Sequence, residues 1–438
     1  MEHQPKDGSE RMTKPAPTSS PPQSRHFAVG AAVFTSLAVF SQEIVWNFYD
    51  AQVPPALRQY THSAALIGLL MGMDNFLGLF IQPWMAHRSD RTNTRFGRRL
   101  PYLMIGAPLA AVFYVLIPWA SSLPMLVAAM FCFAILANGF KAVTDALIAD
   151  FQAPEHRGKA NAMAKIATAL TIATGSAISY FIVDKSPHLA FALPAMILVV
   201  GTGLVCWLLD ERKSYASALR GSQGDDERPY REVVKDIFRS RDRRLLSMLV
   251  AVFATAGVWS ASRAQLSPYA MEVVGLTRGE AGTLALPGGI AFLIAVLPIA
   301  FLSDRWNRVD VCRFGCLVFA AGCLLAFTSP TPKMTMIGLA IGSIGYAAFA
   351  VNGLVIVWNL APQGRSIGAY TGFYTIAAAC GATVMPAFIG LLIDLTGWRY
   401  MMLHVALGAC VCFVLMSLVE RRPPSKHAAL VGSPGAPQ

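Results

Sequence analysis

The chain has 438 residues, of which 55% are hydrophobic and only 14% are charged, and its mean hydropathy is +0.48. Since a soluble domain carries about 25% charged residues, this composition excludes a soluble globular protein and indicates a chain that faces lipid along much of its length. The formal charge of +11 is concentrated in short loops and tails between apolar runs. Membrane topology explains that distribution, which argues against a nucleic-acid partner.

The two ends of the chain are polar. Residues 1–26 are rich in Pro and Ser and lack the apolar core of a cleavable signal peptide. They contain too few apolar residues to build a packed core, so we predict a disordered cytoplasmic tail. Residues 421–438 are predicted to form a second tail of the same kind.

Twelve apolar runs lie between the tails, each long enough to cross a bilayer, which takes about 20 residues. A polar segment of mixed charge, residues 210–244, divides them and is predicted to be a cytoplasmic linker. The sequence therefore predicts an all-α membrane protein with an N-terminal six-helix bundle (27–209) and a C-terminal six-helix bundle (245–420). The predicted helices cover residues 27–57, 63–86, 100–120, 123–149, 159–183, 188–209, 245–272, 281–303, 309–328, 333–360, 367–393 and 399–419.

Basic residues alternate from one side of the predicted bundle to the other. The loops after the second, fourth and eighth helices carry Arg88, Arg91, Arg95, Arg98, Arg99, Arg157, Lys159, Arg305, Arg308 and Arg313. The loops on the other side carry almost no charge. Because loops rich in Lys and Arg stay in the cytoplasm, both termini are predicted to be cytoplasmic, in a bacterial inner membrane.

The two halves echo each other at corresponding loops. SDRTNTRFGRR after the second helix resembles SDRWNRVD (303–310) after the eighth. DFQAPEHRGKANAM (150–163) likewise resembles NLAPQGRSIGAYTG (359–372). Two such echoes predict two parallel six-helix pseudo-repeats around a central cavity.

The basic loop also resembles a known family. The residues that match the loop signature of the major facilitator superfamily, with a degenerate second copy, are Asp90, Arg91, Gly97, Arg98, Arg99, Asp304 and Arg305. The longer loop SDRTNTRFGRRLPY, with the Asp, Pro, Arg, Ala and Asn spaced across residues 150–161, looks like glycoside–pentoside–hexuronide:cation symporters and proton-coupled sucrose transporters. The resemblance implies the major facilitator fold and secondary transport by alternating access.

These seven loop residues are predicted to gate a conformational change and not to bind substrate. Asp90 and the arginines are expected to form ion pairs that link the second helix to its neighbours in an outward-open state. The pairs would break when the cytoplasmic side opens. The alternative is that the arginines serve topology alone.

Among the polar residues predicted to lie inside the membrane, Asp74 is the strongest candidate for a functional role. It lies near the centre of the second helix and is followed by Asn75. A charged side chain at that depth costs about 2.5 to 3.5 kcal/mol on insertion scales, and a carboxyl held away from water suits proton uptake and release. We predict that Asp74 carries a coupling proton, with Glu43 as a second carrier. The alternative is an Asp held by a hydrogen bond from a neighbouring helix.

The coupling ion is predicted to be a proton and not sodium. Melibiose permease and similar sodium-coupled members resemble each other in carrying two carboxylates one turn apart in the second helix. The corresponding places in this chain are Gly78 and Gln82, so a sodium site of that kind is not expected.

The first helix carries Glu43, Asn47 and Asp50, whose spacing of four and three places them on one face. Trp46 and Tyr49 lie close by. Acidic and amide groups beside aromatic rings are typical of sugar recognition, because the hydroxyls bind the polar groups and the C–H face of the sugar packs on the ring.

Further polar residues lie in later helices. Lys141 and Asp145, one turn apart, and Lys165 are predicted to form a self-neutralising cluster that either contacts substrate or joins two helices. Arg263 and Gln265 lie in the outer half of the seventh helix, and Arg263 is expected to pair with Glu43 across the cavity. The predicted substrate-binding set is Asn47, Asp50, Asn75, Lys141, Asp145, Lys165, Arg263, Gln265 and Asn352.

No feature of the sequence calls for an enzyme. It shows no phosphate loop, metal-ligand set or catalytic triad, and its eight cysteines lie inside apolar runs, so no cofactor or metal is expected. We predict a monomeric proton-coupled symporter of a glycoside such as a disaccharide, whose partners are the sugar, a proton and membrane lipid. Two alternatives stay open: a proton-driven exporter of drugs, and a non-transporting membrane sensor or assembly protein.

Overall fold

The computed structural model describes residues 28–152, 156–211, 214, 244–360 and 367–420. Within these ranges, twelve helical segments are long and apolar enough to cross a membrane. In chain order they are α1 Val29–Arg58, α2 Ala64–Arg91, α3 Leu100–Trp119, α4 Leu123–Phe151, α5 Arg157–Val183, α6 Pro187–Leu208, α7 Arg244–Ala264, α8 Arg278–Arg305, α9 Arg308–Thr328, α10 Pro332–Asn359, α11 Tyr370–Thr396 and α12 Trp398–Val419.

The predicted all-α membrane fold is confirmed. The predicted tails and nearly all of the predicted linker 210–244 lie outside the described residues. The second helix, predicted to end at residue 86, continues to Arg91. The last turn of α2 is polar and extends beyond the apolar layer of the membrane. The apolar run in the sequence therefore marks the part of the helix that lies in lipid and does not mark where the helix ends.

Several helices begin at a capping residue that the sequence supplies. The side chains of Ser63, Ser186 and Thr331 accept hydrogen bonds from the backbone N–H groups three residues on, at the starts of α2, α6 and α10. Pro187 and Pro332 then occupy the first helical position. A cap oxygen satisfies an N–H that would otherwise have no partner, and proline has no N–H to satisfy there.

Each half has its own apolar core. Tyr49, Tyr114 and Phe133 are among the fully buried side chains at the centre of α1–α6. In the second half, α9 and α10 pack closely enough that a Cβ at Gly338 would meet the carbonyl oxygen of Gly322. Small residues allow such close approach where the surrounding lipid provides no hydrophobic drive for helix association.

The two halves meet most closely along α2 and α11. A Cβ at Gly68 would meet the backbone of Pro386, and a Cβ at Gly72 would meet the backbone of Thr383. Backbone therefore lies against backbone in this seam. The α5–α8 contact is made by side chains instead, with Ile172 against Gly289.

Two ends of the bundle are named here by their loops. The basic face carries the loop between α2 and α3 and the loop between α8 and α9, at residues 92–99 and 306–307. The opposite face carries the loops at residues 59–63, 275–277 and 397. Because α1 runs from the basic face to the opposite face, every odd-numbered helix runs in that direction.

Candidate functional site

A cavity of ≈ 540 Å³ lies between the two halves. Its volume falls within the range of about 300–1,000 Å³ that is typical of small-molecule sites. Helices α1 and α5 line it from the first half, and α7, α8, α9 and α10 line most of the other side. The central cavity that the internal repeat predicts is therefore present.

One wall of the cavity is charged. It carries Asn47 and Asp50 of α1, Lys165 of α5 and Arg263 of α7. Of the residues predicted to bind substrate, these four line the cavity. They combine hydrogen-bond donors, acceptors and both signs of charge.

Another part of the cavity wall is aromatic and aliphatic. The rings of Trp259 and Tyr346 stack in parallel, with centroids 4.1 Å apart and planes at 2°. Phe319 meets Trp259 edge-on at 5.9 Å, and Phe292 lies 6.4 Å from Tyr346. The sequence analysis did not identify this wall, although Trp259 and Tyr346 stand out as large rings among small residues in their helices.

Arg263 pairs with Asp50 and not with Glu43. The closest approach of the two side chains is 3.6 Å, from Arg263 Nη2 to Asp50 Oδ2. Asp50 lies seven residues beyond Glu43 on α1, about 10 Å closer to the opposite face. Arg263 is near the opposite-face end of α7 and therefore meets Asp50, so the expected cross-half pair forms with a different carboxylate.

Glu43 instead binds Lys141 of α4, whose Nζ donates to Glu43 Oε1 at 2.5 Å. Asp145 lies within electrostatic reach of Lys141, Lys165 and Glu43. With Glu43 from α1 added, the predicted Lys–Asp–Lys cluster would have four members whose formal charges balance. Lys141 and Asp145 do not line the cavity; Lys165 does.

Asp74 and Asn75 lie outside the cavity lining. The Asp74 carboxylate accepts hydrogen bonds from the backbone and side-chain nitrogens of Asn75, at 2.8 and 2.9 Å. The neighbouring helix α4 contacts the Asp74 backbone, because Asn138 donates to its carbonyl oxygen at 3.1 Å. No cation neutralises the carboxylate among these contacts, so the role of Asp74 as proton carrier stays a prediction.

A neutral amide pair, formed by Gln82 and Asn138, lies beside Gly78. Gln82 donates to Asn138 Oδ1 at 2.7 Å. A Cβ at Gly78 would lie 2.7 Å from the same oxygen, so Gly78 leaves room for this pair. The pair carries no formal charge.

Gln265 and Asn352 have structural partners and do not line the cavity. Gln265 donates to the Ala64 carbonyl oxygen of α2 at 2.8 Å and is fully buried. Asn352 donates to Ser303 at 2.8 Å and accepts from Arg308 at 3.0 Å. A polar residue in a membrane helix needs a partner, and here neighbouring helices supply one, so the predicted contact of these two residues with substrate stays a prediction.

The opposite face is held shut by polar contacts between the halves. The Asp394 carboxylate of α11 accepts from Ser63 Oγ at 2.7 Å and from the backbone nitrogens of Ala64 and Ala65 at 2.6 and 3.0 Å. Asp394 therefore caps the N-terminus of α2 from the other half, where a helix favours negative charge. We call this contact the Asp394 cap.

Two further contacts lie beside the Asp394 cap. Arg58 pairs with Glu272 at 2.9 Å and lies over the Trp398 ring at 5.3 Å. Arg278 donates to the side chain and backbone oxygens of Gln52 at 3.0 and 2.9 Å. The sequence analysis did not identify the residues of these two contacts or of the Asp394 cap.

The basic-loop residues form an ion-pair cluster inside the first half. Arg98 binds Asp150 at 2.6 Å, and Arg99 binds Asp150 and Asp90, the latter at 2.8 Å. The Glu211 carboxylate accepts from the backbone nitrogens of Arg98 and Arg99, both at 2.9 Å. The cluster therefore joins α2, α3 and α4 to the segment after α6.

The expected gating role of this cluster stays a prediction. The pairs are intact although the halves are joined at the opposite face, and all the partners given above belong to the first half. In the second copy, Asp304 pairs with Arg308 at 3.0 Å within its own half. Arg91 and Arg305 are exposed. Among the described residues, the cross-half hydrogen bonds and ion pairs lie between the cavity and the opposite face.

The sequence matches the Major Facilitator Superfamily over residues 35–292 and 248–437. The chain therefore belongs to that superfamily, whose members are transporters and not enzymes. A bacterial homolog of the human lysosomal transporter Spinster, in an inward-facing and occupied conformation, superposes with a TM-score of 0.71 at 15% identity, covering 90% of this chain and 97% of that one. The nucleoside transporter NupG superposes with a TM-score of 0.72 at 11% identity, covering 90% and 100%.

A more specific likeness covers a smaller part of the chain. The multidrug resistance protein Stp of Mycobacterium tuberculosis (strain ATCC 25618 / H37Rv) is 26% identical over 132 residues. The same protein from strain CDC 1551 / Oshkosh matches equally. The match spans 30% of this chain and only 25% of the length of these relatives.

Proposed function

We propose that the protein is a secondary active transporter that carries a glycoside, such as a disaccharide, together with a proton. One observation carries the proposal: a cavity of ≈ 540 Å³ is lined both by the stacked Trp259–Tyr346 pair and by the polar side chains of Asn47, Asp50 and Arg263. A sugar presents hydroxyl groups on its edges and C–H groups on its faces. The charged wall matches the former and the ring wall matches the latter.

Proton coupling is assigned to Asp74, with Glu43 as a second carrier. Asp74 has hydrogen-bond donors but no cationic partner among its direct contacts. Glu43 exchanges its pairing with Lys141 for a proton in this scheme. The neutral Gln82–Asn138 pair supports a proton over sodium, since it contains no carboxylate with which to neutralise a bound sodium ion.

The basic face is assigned to the cytoplasm of a bacterial inner membrane. The arginines of the α2–α3 loop support this orientation. The contacts at the opposite face would then close the cavity toward the outside. Alternating access follows if these contacts part while others form at the basic face.

The test records internal pH in proteoliposomes that contain the purified protein while mono- and disaccharides are added outside. We expect one sugar to acidify the lumen, and Asp74→Asn to abolish the acidification. Asp310→Asn is the matched control, because Asp310 is exposed and pairs within α9, and it should retain the response. Acidification that survives in Asp74→Asn would contradict the assignment of the proton to Asp74.

A proton-driven exporter of amphipathic compounds is the second candidate. The ring wall continues into aliphatic side chains such as Leu293, Val296 and Leu339, which suit an apolar solute. The likeness to a protein named for multidrug resistance also supports it. If no sugar acidifies the lumen, a panel of amphipathic drugs is added to vesicles with an acid lumen, and proton loss from the lumen would favour export. If the protein transports neither sugars nor amphipathic compounds, the result would favour the non-transporting alternative.

A further inference from the structure

A row of buried polar atoms without partners lies inside the first half, apart from the cavity. The atoms are Gln42 Oε1, Trp46 Nε1 and Tyr49 Oη on α1 and Tyr114 Oη on α3, and within the described residues none has a hydrogen-bond partner. We call these four residues the buried row. The three α1 members are spaced by four and three, so they share one face over about 10 Å of helix.

The rings of the row are well packed, but their polar atoms are not satisfied. Trp46, Tyr49 and Tyr114 all pack on Phe133 of α4, with centroids 5.1, 5.4 and 5.0 Å from its ring. Tyr49 and Tyr114 have no exposed surface. Ring packing accounts for the apolar part of each side chain and leaves two hydroxyls and an indole N–H without a role.

Burying such polar groups without a hydrogen-bond partner costs free energy. Each unsatisfied buried donor or acceptor costs about 1–3 kcal/mol, and the row has four of them on neighbouring side chains. Buried water is the usual solution, since one internal water binds about three otherwise unsatisfied groups. Phe133 cannot be the partner of these groups, because its ring has no polar atom.

Asp74 of α2 is electrostatically coupled to this row. The Tyr49 hydroxyl is within electrostatic reach of the Asp74 and Asp50 carboxylates, and the Tyr114 hydroxyl is within reach of Tyr49 and Asp50. Asn138 ties α4 to α2 at Asp74, one turn from Phe133 along α4. Of the elements packed on this part of α2, α1 presents Tyr49 and Asp50, α4 presents the neutral Asn138, and α11 presents backbone at Thr383.

We propose that the buried row binds internal water molecules that reach Asp74, and that Tyr49 is a positioning residue for them. The hydroxyl of Tyr49 donates to a water that in turn donates to the Asp74 carboxylate. Tyr114, Trp46 and Gln42 hold the waters behind it. The part that concerns proton coupling rests on the proposed function, whereas the hydration of the row does not.

The first test looks for the water itself, using hydroxyl-radical labelling of the full chain in lipid nanodiscs. Radicals form from water, so a buried side chain is oxidised only where water is bound beside it. We expect Tyr49 and Tyr114 to be oxidised several-fold faster than Tyr269. Tyr269 is the matched control, since it is equally buried and its hydroxyl donates to Ala326 O at 3.4 Å. Equally slow oxidation of all three tyrosines would overturn the proposal.

The second test removes the hydroxyl with Tyr49→Phe and compares it with Tyr269→Phe. If water links Tyr49 to Asp74, the variant loses a donor to the carboxylate, and the pH of half-maximal substrate uptake moves to higher values. The control variant keeps the wild-type pH profile. A higher melting temperature for Tyr49→Phe with an unchanged pH profile would show a dry, unpaired hydroxyl and overturn the proposal.

The two tests separate this inference from the proposed function. If Asp74→Asn transports normally, proton carriage by Asp74 fails, yet labelling at Tyr49 and Tyr114 still decides whether the row is hydrated. If Tyr49→Phe does not fold, Tyr114→Phe takes its place with the same two readouts. Labelling on the wild-type chain needs no variant.

Discussion

At the scale of single residues, the structure separates polar groups that face the cavity from those that hold helices together. Asp50 and Arg263 line the cavity, whereas the side-chain amides of Gln265 and Asn352 donate hydrogen bonds to neighbouring helices. In the sequence, all four residues stand out equally as polar residues within apolar runs. A membrane helix must satisfy each of them, and only the three-dimensional arrangement shows whether protein or solute does so.

Gly97 is a residue whose identity the backbone requires. Its φ is +106°, and a Cβ there would meet the carboxylate of Glu211. That carboxylate binds the backbone nitrogens of Arg98 and Arg99. The ion-pair cluster of the basic loop therefore depends on the absence of a side chain at this position.

We expect Gly97→Ala to destabilise the protein more than Gly275→Ala. Both positions have positive φ, but the space around Gly275 is open, so the control pays only the left-handed backbone cost of about 1–2 kcal/mol. At Gly97 the displaced Glu211 adds the loss of charge-assisted hydrogen bonds, about 1.5–3 kcal/mol. Melting temperatures in detergent check this. Equal losses for the two variants would contradict the proposed role of the contact with Glu211.

At the scale of helices, the sequence predicted most of what the structure shows. Each crossing is marked by an apolar run, because lipid contact demands one at every depth. The polar ends are less well marked: α2 continues five residues past its predicted end, to Arg91, since hydropathy falls before the helix stops. Registers between helices were not predictable, and this is why Arg263 was assigned to Glu43 when it meets Asp50.

Contacts between the halves were also beyond the sequence. The Asp394 cap joins residues more than three hundred positions apart. Neither Ser63 nor Asp394 is unusual at a helix end, so nothing in the local pattern distinguishes them. The cavity's ring wall was missed for a related reason: aromatic residues in a membrane helix are common, and stacking depends on the angle between two helices.

We expect Asp394→Asn to shift the protein toward opening of the opposite face. An amide keeps one acceptor oxygen but loses the charge that favours the α2 N-terminus. A hydrogen bond to a charged group contributes about 1.5–3 kcal/mol, which corresponds to at least a roughly tenfold change in the equilibrium. Spin labels at exposed Ser121, in the loop before α4, and at exposed Lys333, in the first turn of α10, report the distance between the halves at this face once exposed Cys410 is replaced.

The control for that experiment is Asp310→Asn, because Asp310 pairs with Arg313 within α9. It removes the same charge from the second half without touching the contact between the halves. A shift in both variants, or in neither, would contradict the role assigned to the Asp394 cap.

At the scale of the whole molecule, few charged pairs join the two halves within the part of the chain that the structure describes. Asp50 and Arg263 form one of them, between the cavity and the opposite face, with side chains 36% and 28% exposed. The pair therefore lies between a surface pair and a buried one, and we assign its loss about 1–2 kcal/mol. Substitution of one residue of the pair would leave the other charged at the cavity wall without its partner.

We expect Asp50→Asn and Arg263→Gln to be coupled. Each single variant should favour separation of the halves at the opposite face, and the double variant should lose less than the sum of the two. The interaction free energy should be about 1 kcal/mol, within the range found for residues in contact. The same spin-label distance measures all four members of the cycle. Strictly additive effects would show that the two side chains act independently.

The backbone-to-backbone seam between α2 and α11 has a mechanical consequence. Where Gly68 and Gly72 lie against Pro386 and Thr383, few side chains interdigitate. Two helices whose side chains do not interdigitate can rotate against each other and keep their van der Waals contact, because few side chains have to leave their packing positions. The seam is therefore suited to be the contact about which the two halves rotate relative to each other. The barrier to rocking would then arise mainly from breaking the polar contacts at the rim, so exchange between states should slow when those contacts are strengthened and quicken when they are weakened.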